Sequence, residues 1–581
     1  MAVRRGVWIV LVLIILAVAV SAMGLVAMAL FVGREPQVAG NSTLVLKVGG
    51  DLQEMEPTGV IGQFFEAPPT VRSVVESLRK AKVDRRVASV IIRPAGAAAL
   101  WGKIQEVRDA IIDFRRSGKP IIGYLEYGGE QEFYLASACD KVFLMPTSSL
   151  DLTGMANYEL FLRGTLDKIG AYPDTLHIGE YKTASNTFTE HTFTPAHREM
   201  AESLNSDLYE QLIRGIANGR HKSEKDVRAL VDHGPFLPED AVRAGLVDDV
   251  AYEDEIDDKV QLAKGKVNYL SESDYRHVSA GSLGLNRGPR IAVIYASGVI
   301  ASGENNYDSP SGQVVGADTM ADSLRKARAD SSIKAIVLRI DSPGGSAIAS
   351  DVIWREVMLT RNVKPLVASM SDVAASGGYY IAMPAHAIVA EPATLTGSIG
   401  VVMLKFVIDG TLKKLGMNME GVTKGRYADL YSPVRAFTPE ERAKVQEQMQ
   451  ATYDTFVEKA AAGRNTTPER IDAIAQGRVW TGAQGKQVGL VDELGGLERA
   501  LALAKQRAKI SPDAEVEIVV YPGRKSFYDL VRSPFGASDR TSALAMLIGI
   551  RDPRPLQSLT APLHVFRRGE PLAIMPNVFI R

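Results

Sequence analysis

The pentapeptide Ser77-Leu78-Arg79-Lys80-Ala81 recurs letter for letter at Ser323–Ala327, 246 positions later. Phe193-Thr194-Pro195 returns as Phe437-Thr438-Pro439, and Gly245-Leu246-Val247-Asp248 as Gly489-Leu490-Val491-Asp492, each 244 positions on. Three matches in one order at a near-constant offset mean that a domain-sized unit has been duplicated. The copies are not interchangeable. AASGGYYIA in the second sets Ser376 at a glycine-rich turn, where the offset of 246 puts Glu130 in the first. GEYKTA in the first carries Lys182, where the second reads GRYADL with Ala428. A serine kept by one half and a lysine by the other point to a single composite site.

Composition narrows the field. With 67 basic and 68 acidic residues the formal charge is −1, and no Lys/Arg block or interleaved aromatic platform suggests a nucleic-acid groove. The single cysteine, Cys139, excludes an intrachain disulfide and any multi-cysteine metal site, and reads as a small buried apolar residue. The eight histidines include no HExxH pair. His191 and His197 come nearest to a cluster but lack a third ligand, so no metal and no cofactor is expected.

From Gly6 to Val32 no residue is charged, a run longer than the roughly 20 residues that span a bilayer as a helix. Arg4 and Arg5 precede it, which leaves the N-terminus cytoplasmic and the bulk of the chain outside. Ala27-Met28-Ala29 resembles a signal-peptidase site, but a cleaved signal has an apolar core of only about 7–15 residues. The expectation is an uncleaved anchor over 1–33.

Beyond the anchor, short apolar runs alternate with helix-length amphipathic segments in both units, which implies α/β units with largely parallel sheets. The first unit is set at 44–270, with strands expected at Leu44–Val48, Ser89–Arg93, Pro120–Leu125 and Lys141–Leu144. The second is set at 290–507, with strands at Ile291–Tyr295, Ala335–Ile340, Pro365–Met370 and Ala387–Ala390, a turn at Ser371–Ala375 and a helix near Ile348–Thr360. Ser271–Pro289 reads as a linker. The extension 508–581 offers one more strand at Glu515–Tyr521 and nothing else that can be placed.

Ser376 falls where a strand gives way to a helix, whose unpaired N–H groups and positive dipole end suit an oxyanion. Gly377 follows with no side chain to obstruct its N–H, and Gly344, in the turn Asp341-Ser342-Pro343-Gly344-Gly345, is the expected second donor. The hydroxyl needs a base. His386, the only histidine between Val278 and Leu563, lies too far along its helix to return to the serine and reads as structural. Lysine is the other known partner of a catalytic serine, provided that burial removes its charge near neutrality. Lys182 is therefore the candidate, against the ordinary expectation of a solvated surface lysine.

DSPGGS, SDVAASGGYYIA and PATLTGSIGV resemble the signal peptide peptidase, or protease IV, family, and the anchor, the duplication and GEYKTA match its long two-repeat form. The resemblance covers roughly Leu44 to Lys505. It implies a fold like that of the caseinolytic protease and crotonase superfamily and a Ser–Lys dyad, with Ser376 as nucleophile and Lys182 as general base. It also implies oxyanion donors at Gly377 and Gly344, and Ser398 orienting the lysine amine. Further implications are a single-pass protein of the bacterial inner membrane with its catalytic part on the periplasmic side, assembly as a homotetramer, and substrates that are released signal peptides and other apolar, extended peptides. Two rivals share some of these features. A crotonase-like acyl-CoA enzyme would need acidic catalytic residues, for which Glu130 is the sole candidate, and a membrane-tethered scaffold could dispense with both dyad members.

Overall fold

The computed structural model describes residues 36–55, 69–260, 267–305, 313–523 and 569–575, together with Leu16. The expected membrane anchor at 1–33 lies outside the described residues apart from Leu16; among those described, no helix is long and apolar enough to cross a membrane.

The first unit is built on strands β1 (Ser42–Gly50), β2 (Val87–Ala97), β3 (Ile121–Leu125), β4 (Lys141–Leu144), β5 (Asp249–Val250) and β6 (Asn268–Ser271). They form a parallel sheet in the order β5-β4-β3-β2-β1-β6. The second unit has β7 (Arg290–Ser297), β8 (Ile333–Ser342), β9 (Leu366–Ala375), β10 (Ala387–Ala390), β11 (Glu493–Leu494) and β12 (Glu517–Tyr521). Their order, β11-β10-β9-β8-β7-β12, repeats the first, again all parallel. Such a sheet must be covered on both faces. Accordingly Ile336, Leu338 and Ile340 of β8 join one apolar cluster, while Ala335 and Val337 on its other face join a second.

Each repeated motif performs the same structural task twice. The pentapeptide lies on the helices Val71–Val83 and Ala317–Ala329, with Ser77, Leu78 and Ala81, and Ser323, Leu324 and Ala327, turned inward. Thr194 and Thr438 cap the long helices Pro195–Arg220 and Pro439–Gly463, with proline at the first helical position, where its missing N–H costs nothing. Asp248 accepts from Val142 N (2.8 Å) and Arg220 (2.9 Å); Asp492 accepts from Ile388 N (2.7 Å) and Arg464 (3.0 Å). Each aspartate thereby ties the fourth strand of its sheet to the end of its long helix.

Three boundaries differ from the sequence reading. The segment Ser371–Ala375 is no turn but the end of β9, which bulges there: Ile340 pairs with Met370, yet Ser342 pairs with Ala374. The second unit does not stop at residue 507, because β12 occupies the edge beside β7 that β6 occupies beside β1. Nor is Ser271–Pro289 a plain linker. Its helix Glu272–Tyr275 buries Tyr275 completely, and the Lys80 ammonium donates to the carbonyls of Tyr275, Arg276 and Val278 at 3.0 Å each.

Candidate active site

The site forms where the two units meet. β9 runs straight into the helix Gly377–Ala382, and Ser376 sits at the junction with φ +55°, a region a side-chain-bearing residue rarely adopts. Its N–H donates to Gly397 O at 2.7 Å, which holds the strained turn in place. Ser398, with φ +52°, is fixed in the same way by its N–H to Arg478 O at 2.7 Å.

Lys182 comes from the first unit. The preceding strand Leu176–Ile178 pairs antiparallel with Val401–Met403 of the second unit. Tyr181 N then donates to Gln476 O at 2.7 Å, and the Arg478 guanidinium packs between the rings of Tyr181 and Trp480. So held, Lys182 is fully buried, and its Nζ lies 2.8 Å from Ser376 Oγ, 2.8 Å from Ser398 O and 2.9 Å from Ser398 Oγ. Burial drives its pKa well below the ordinary lysine value, and among the described residues no carboxylate counters that push. A neutral amine in this place can give its two hydrogens to Ser398 and direct its lone pair at the Ser376 hydroxyl.

Gly377 and Gly344 lie side by side, since a Cβ on Gly344 would fall 2.6 Å from Gly377 N. Gly344 has φ +99°, but its N–H donates to Ser342 Oγ at 3.1 Å, so this expected donor is engaged within its own turn. A strand from the C-terminal extension, Leu572–Ile574, lies across the two glycines, antiparallel to Gly344–Ser346 and next to Val402. Ala573 O comes so close that a Cβ on Gly377 would meet it at 3.1 Å. Met575 N donates to Pro343 O (2.8 Å) and Ala347 N to Pro571 O (3.2 Å), which anchors the strand at both ends.

The remaining candidates lie apart. In the first unit the cap of the matching helix is Gly129, so Glu130 stands one place past the position of Ser376, where it accepts from Thr153 N and Oγ1. The shift arises because β3 ends early and a loop, not strand, leads into the helix. Ala428 is exposed in a turn. His386 Nδ1 accepts from Leu366 N at 3.1 Å. His197 is buried 2.6 Å from Glu159, whereas His191 is largely exposed. Cys139 is buried in the first core, and burial pushes its thiol up.

Sequence reasoning missed the cradle around Lys182. A Cβ on Gly477 would lie 2.5 Å from both Lys182 Cα and N, and one on Gly400 3.0 Å from Lys182 Cδ.

The Peptidase family S49 model matches residues 113–266 and again 359–511, more than half of the chain. The chain belongs to peptidase family S49. Its two S49 matches begin 246 positions apart, in step with the duplication. Serine protease SPPA, chloroplastic, of Arabidopsis thaliana is 36% identical over 83% of this chain and 72% of its own length. Protease 4 of Salmonella typhi is 32% identical over 93% of this chain and 89% of its own, and Protease 4 of Haemophilus influenzae 29% identical over 84% and 80%. As an S49 member the protein is a serine endopeptidase.

Proposed function

We propose that the protein is a membrane-anchored signal peptide peptidase working through a Ser376–Lys182 dyad. The observation that carries this reading is the buried amine of Lys182, 2.8 Å from Ser376 Oγ and with no carboxylate partner among the described residues. Neutral Lys182 removes the hydroxyl proton as Ser376 attacks the peptide carbonyl, then returns it to the leaving amine. The resulting acyl-enzyme is hydrolysed by a water that the same amine activates. Ser398 keeps the amine aimed. The Gly377 N–H faces the developing oxyanion, and Gly344 N–H joins it by releasing Ser342 Oγ. The proposed dyad requires no metal or cofactor.

The groove supports the choice of substrate class. Leu572–Ile574 lies there as an added strand between two strand edges, the way an extended, unfolded peptide would lie. Released signal peptides are apolar and extended, and likeness to the putative signal peptide peptidase SppA of Enterococcus faecium, 33% identical over 39% of this chain, supports that choice. Anchoring by 1–33, exposure of the catalytic part outside the cytoplasmic membrane, assembly as a homotetramer and a fold of the caseinolytic protease and crotonase kind complete the proposal. The test is digestion of a synthetic signal peptide by detergent-extracted protein, read by mass spectrometry. Wild type should fragment it and Ser376→Ala leave it intact; equal fragmentation by both would refute the proposal.

A further inference from the structure

The first unit reaches the second at another place besides Lys182. The helix Trp101–Arg115 points its N-terminus at the bulge in β9, and its own cap residue, Leu100, offers no side-chain hydrogen bond. Asp372, at the bulge, supplies the cap from the other unit: it accepts from Leu100 N at 2.8 Å and from Lys103 N at 2.7 Å. Gly102 permits the approach, since a Cβ there would lie 2.9 Å from Ser371 O. Lys103, one of the buried charges, then bridges two strands. Its Nζ is 2.7 Å from Asp341 Oδ2, near the end of β8, and 3.7 Å from Asp372 Oδ2 near the end of β9. Asp341 closes the loop by accepting from Val373 N at 3.2 Å.

Asp341 precedes Gly344 by three residues, and Asp372 precedes Gly377 by five. The two strand ends that this ammonium joins are those from which the proposed oxyanion donors project. The duplication makes the arrangement one-sided: at the offset of 246 Lys103 corresponds to Ala349, and Asp341 to Ala95. The Lys103–Asp341 pair is therefore not repeated in the other copy, although Glu126 stands at the place of Asp372.

We propose that Lys103 is a positioning residue that fixes the spacing of the Gly344 and Gly377 turns, so that the first unit sets the second unit's oxyanion donors as well as supplying its base. The inference rests on the peptidase reading above. The charges around it fit a held cation. Burial by itself would lower the Lys103 pKa, but Asp341, Asp372 and Glu54 outweigh it and keep the amine charged. Burial pushes the Asp372 carboxyl up to about 6 against the pull of Lys103. Glu54 is held by Arg339 and Ser371. Arg339 also ties β8 to β9, through Ser369 and Ser371, whereas Lys103 joins the two strands nearer the glycine turns, through the carboxylates of Asp341 and Asp372.

The experiment compares full-length wild type, Lys103→Met and Lys103→Arg in peptide hydrolysis and in binding of a peptide aldehyde, whose hemiacetal oxygen uses the oxyanion donors. Loss of one such donor costs about 10²–10³-fold in kcat, so displaced donors should cost about 10- to 100-fold. Lys103→Met should lose that much kcat with KM within about two-fold, and aldehyde affinity should fall by the same factor. Lys103→Arg should recover most of both, and the acid limb of the pH profile should stay in place because Lys182 is untouched. If Lys103→Met does not fold, Asp341→Asn, similar in size but uncharged, should give the same paired loss. Unchanged kcat in a folded variant, or lost activity with full aldehyde affinity, overturns the inference. Wild type that neither cleaves peptide nor binds the aldehyde through Ser376 would sink the peptidase reading and this inference with it.

Discussion

At the residue scale, a lysine without a partner carboxylate would be a liability unless its charge were unwanted. Lys182 is fully buried and its hydrogen bonds go to hydroxyl and carbonyl oxygens alone, so the neutral form is favoured. The sign of the pH dependence follows. In the proposed mechanism the active form is neutral, and protonation on acidification removes it. Activity should therefore climb through a limb centred well below lysine's ordinary value of about 10.4, a shift read from the profile of kcat/KM against pH. A limb near pH 10, about the free-lysine value, would mean an amine open to water. The serine was legible because the glycine-rich motif surrounds it, and the lysine because its copy lacks it. That Gly344 N–H is engaged with Ser342 was not legible, since no sequence pattern reports which way a turn amide points.

At the element scale, the repeated motifs could be read as a duplication, but what each does could not. Strand cores such as Ala387–Ala390 and Lys141–Leu144 were found to the residue, because unbroken apolar runs mark buried parallel strands. The extension of β9 through Ser371–Ala375 was missed because serine and aspartate there read as a turn, whereas the bulge turns them into contacts with the first unit. The cradle at Gly477 was hidden for a similar reason: a glycine signals close approach without naming the neighbour. Gly477→Ala would drive a methyl into the Lys182 backbone at 2.5 Å, on a residue with φ +78°. It should cost about 1–3 kcal/mol of stability and lower kcat at least ten-fold by shifting the base. Gly489→Ala, with φ +87° but no atom within 4 Å, should cost about 1 kcal/mol and leave kcat unaltered. Equal kcat in the two variants would separate the cradle from catalysis.

At the scale of the whole molecule, two duplicated sheets are joined so that one site draws on both and the far end of the chain returns to it. The parallel architecture was legible from alternating strands and helices. The return of Leu572–Ile574 was not, because a three-residue strand after a proline- and arginine-rich extension has no periodicity to betray it. If substrate takes the same strand edges, as proposed, this tethered segment competes with it at high effective concentration. A chain ending at residue 568 should show KM for an extended peptide lowered several-fold with kcat retained. An unaltered KM would mean that the strand does not occupy the peptide's path.

The central claim, that Lys182 of one repeat activates Ser376 of the other, is tested most directly by the rate at which a peptidyl phosphonate labels Ser376 in the full-length chain. Wild type should carry the label on Ser376, mapped by mass spectrometry. Lys182→Ala and Lys182→Arg should label at least about 10²-fold more slowly, the lower end of what a positioned base contributes. Labelling of Lys182→Ala at the wild-type rate, or label on a serine other than Ser376, would contradict the composite site.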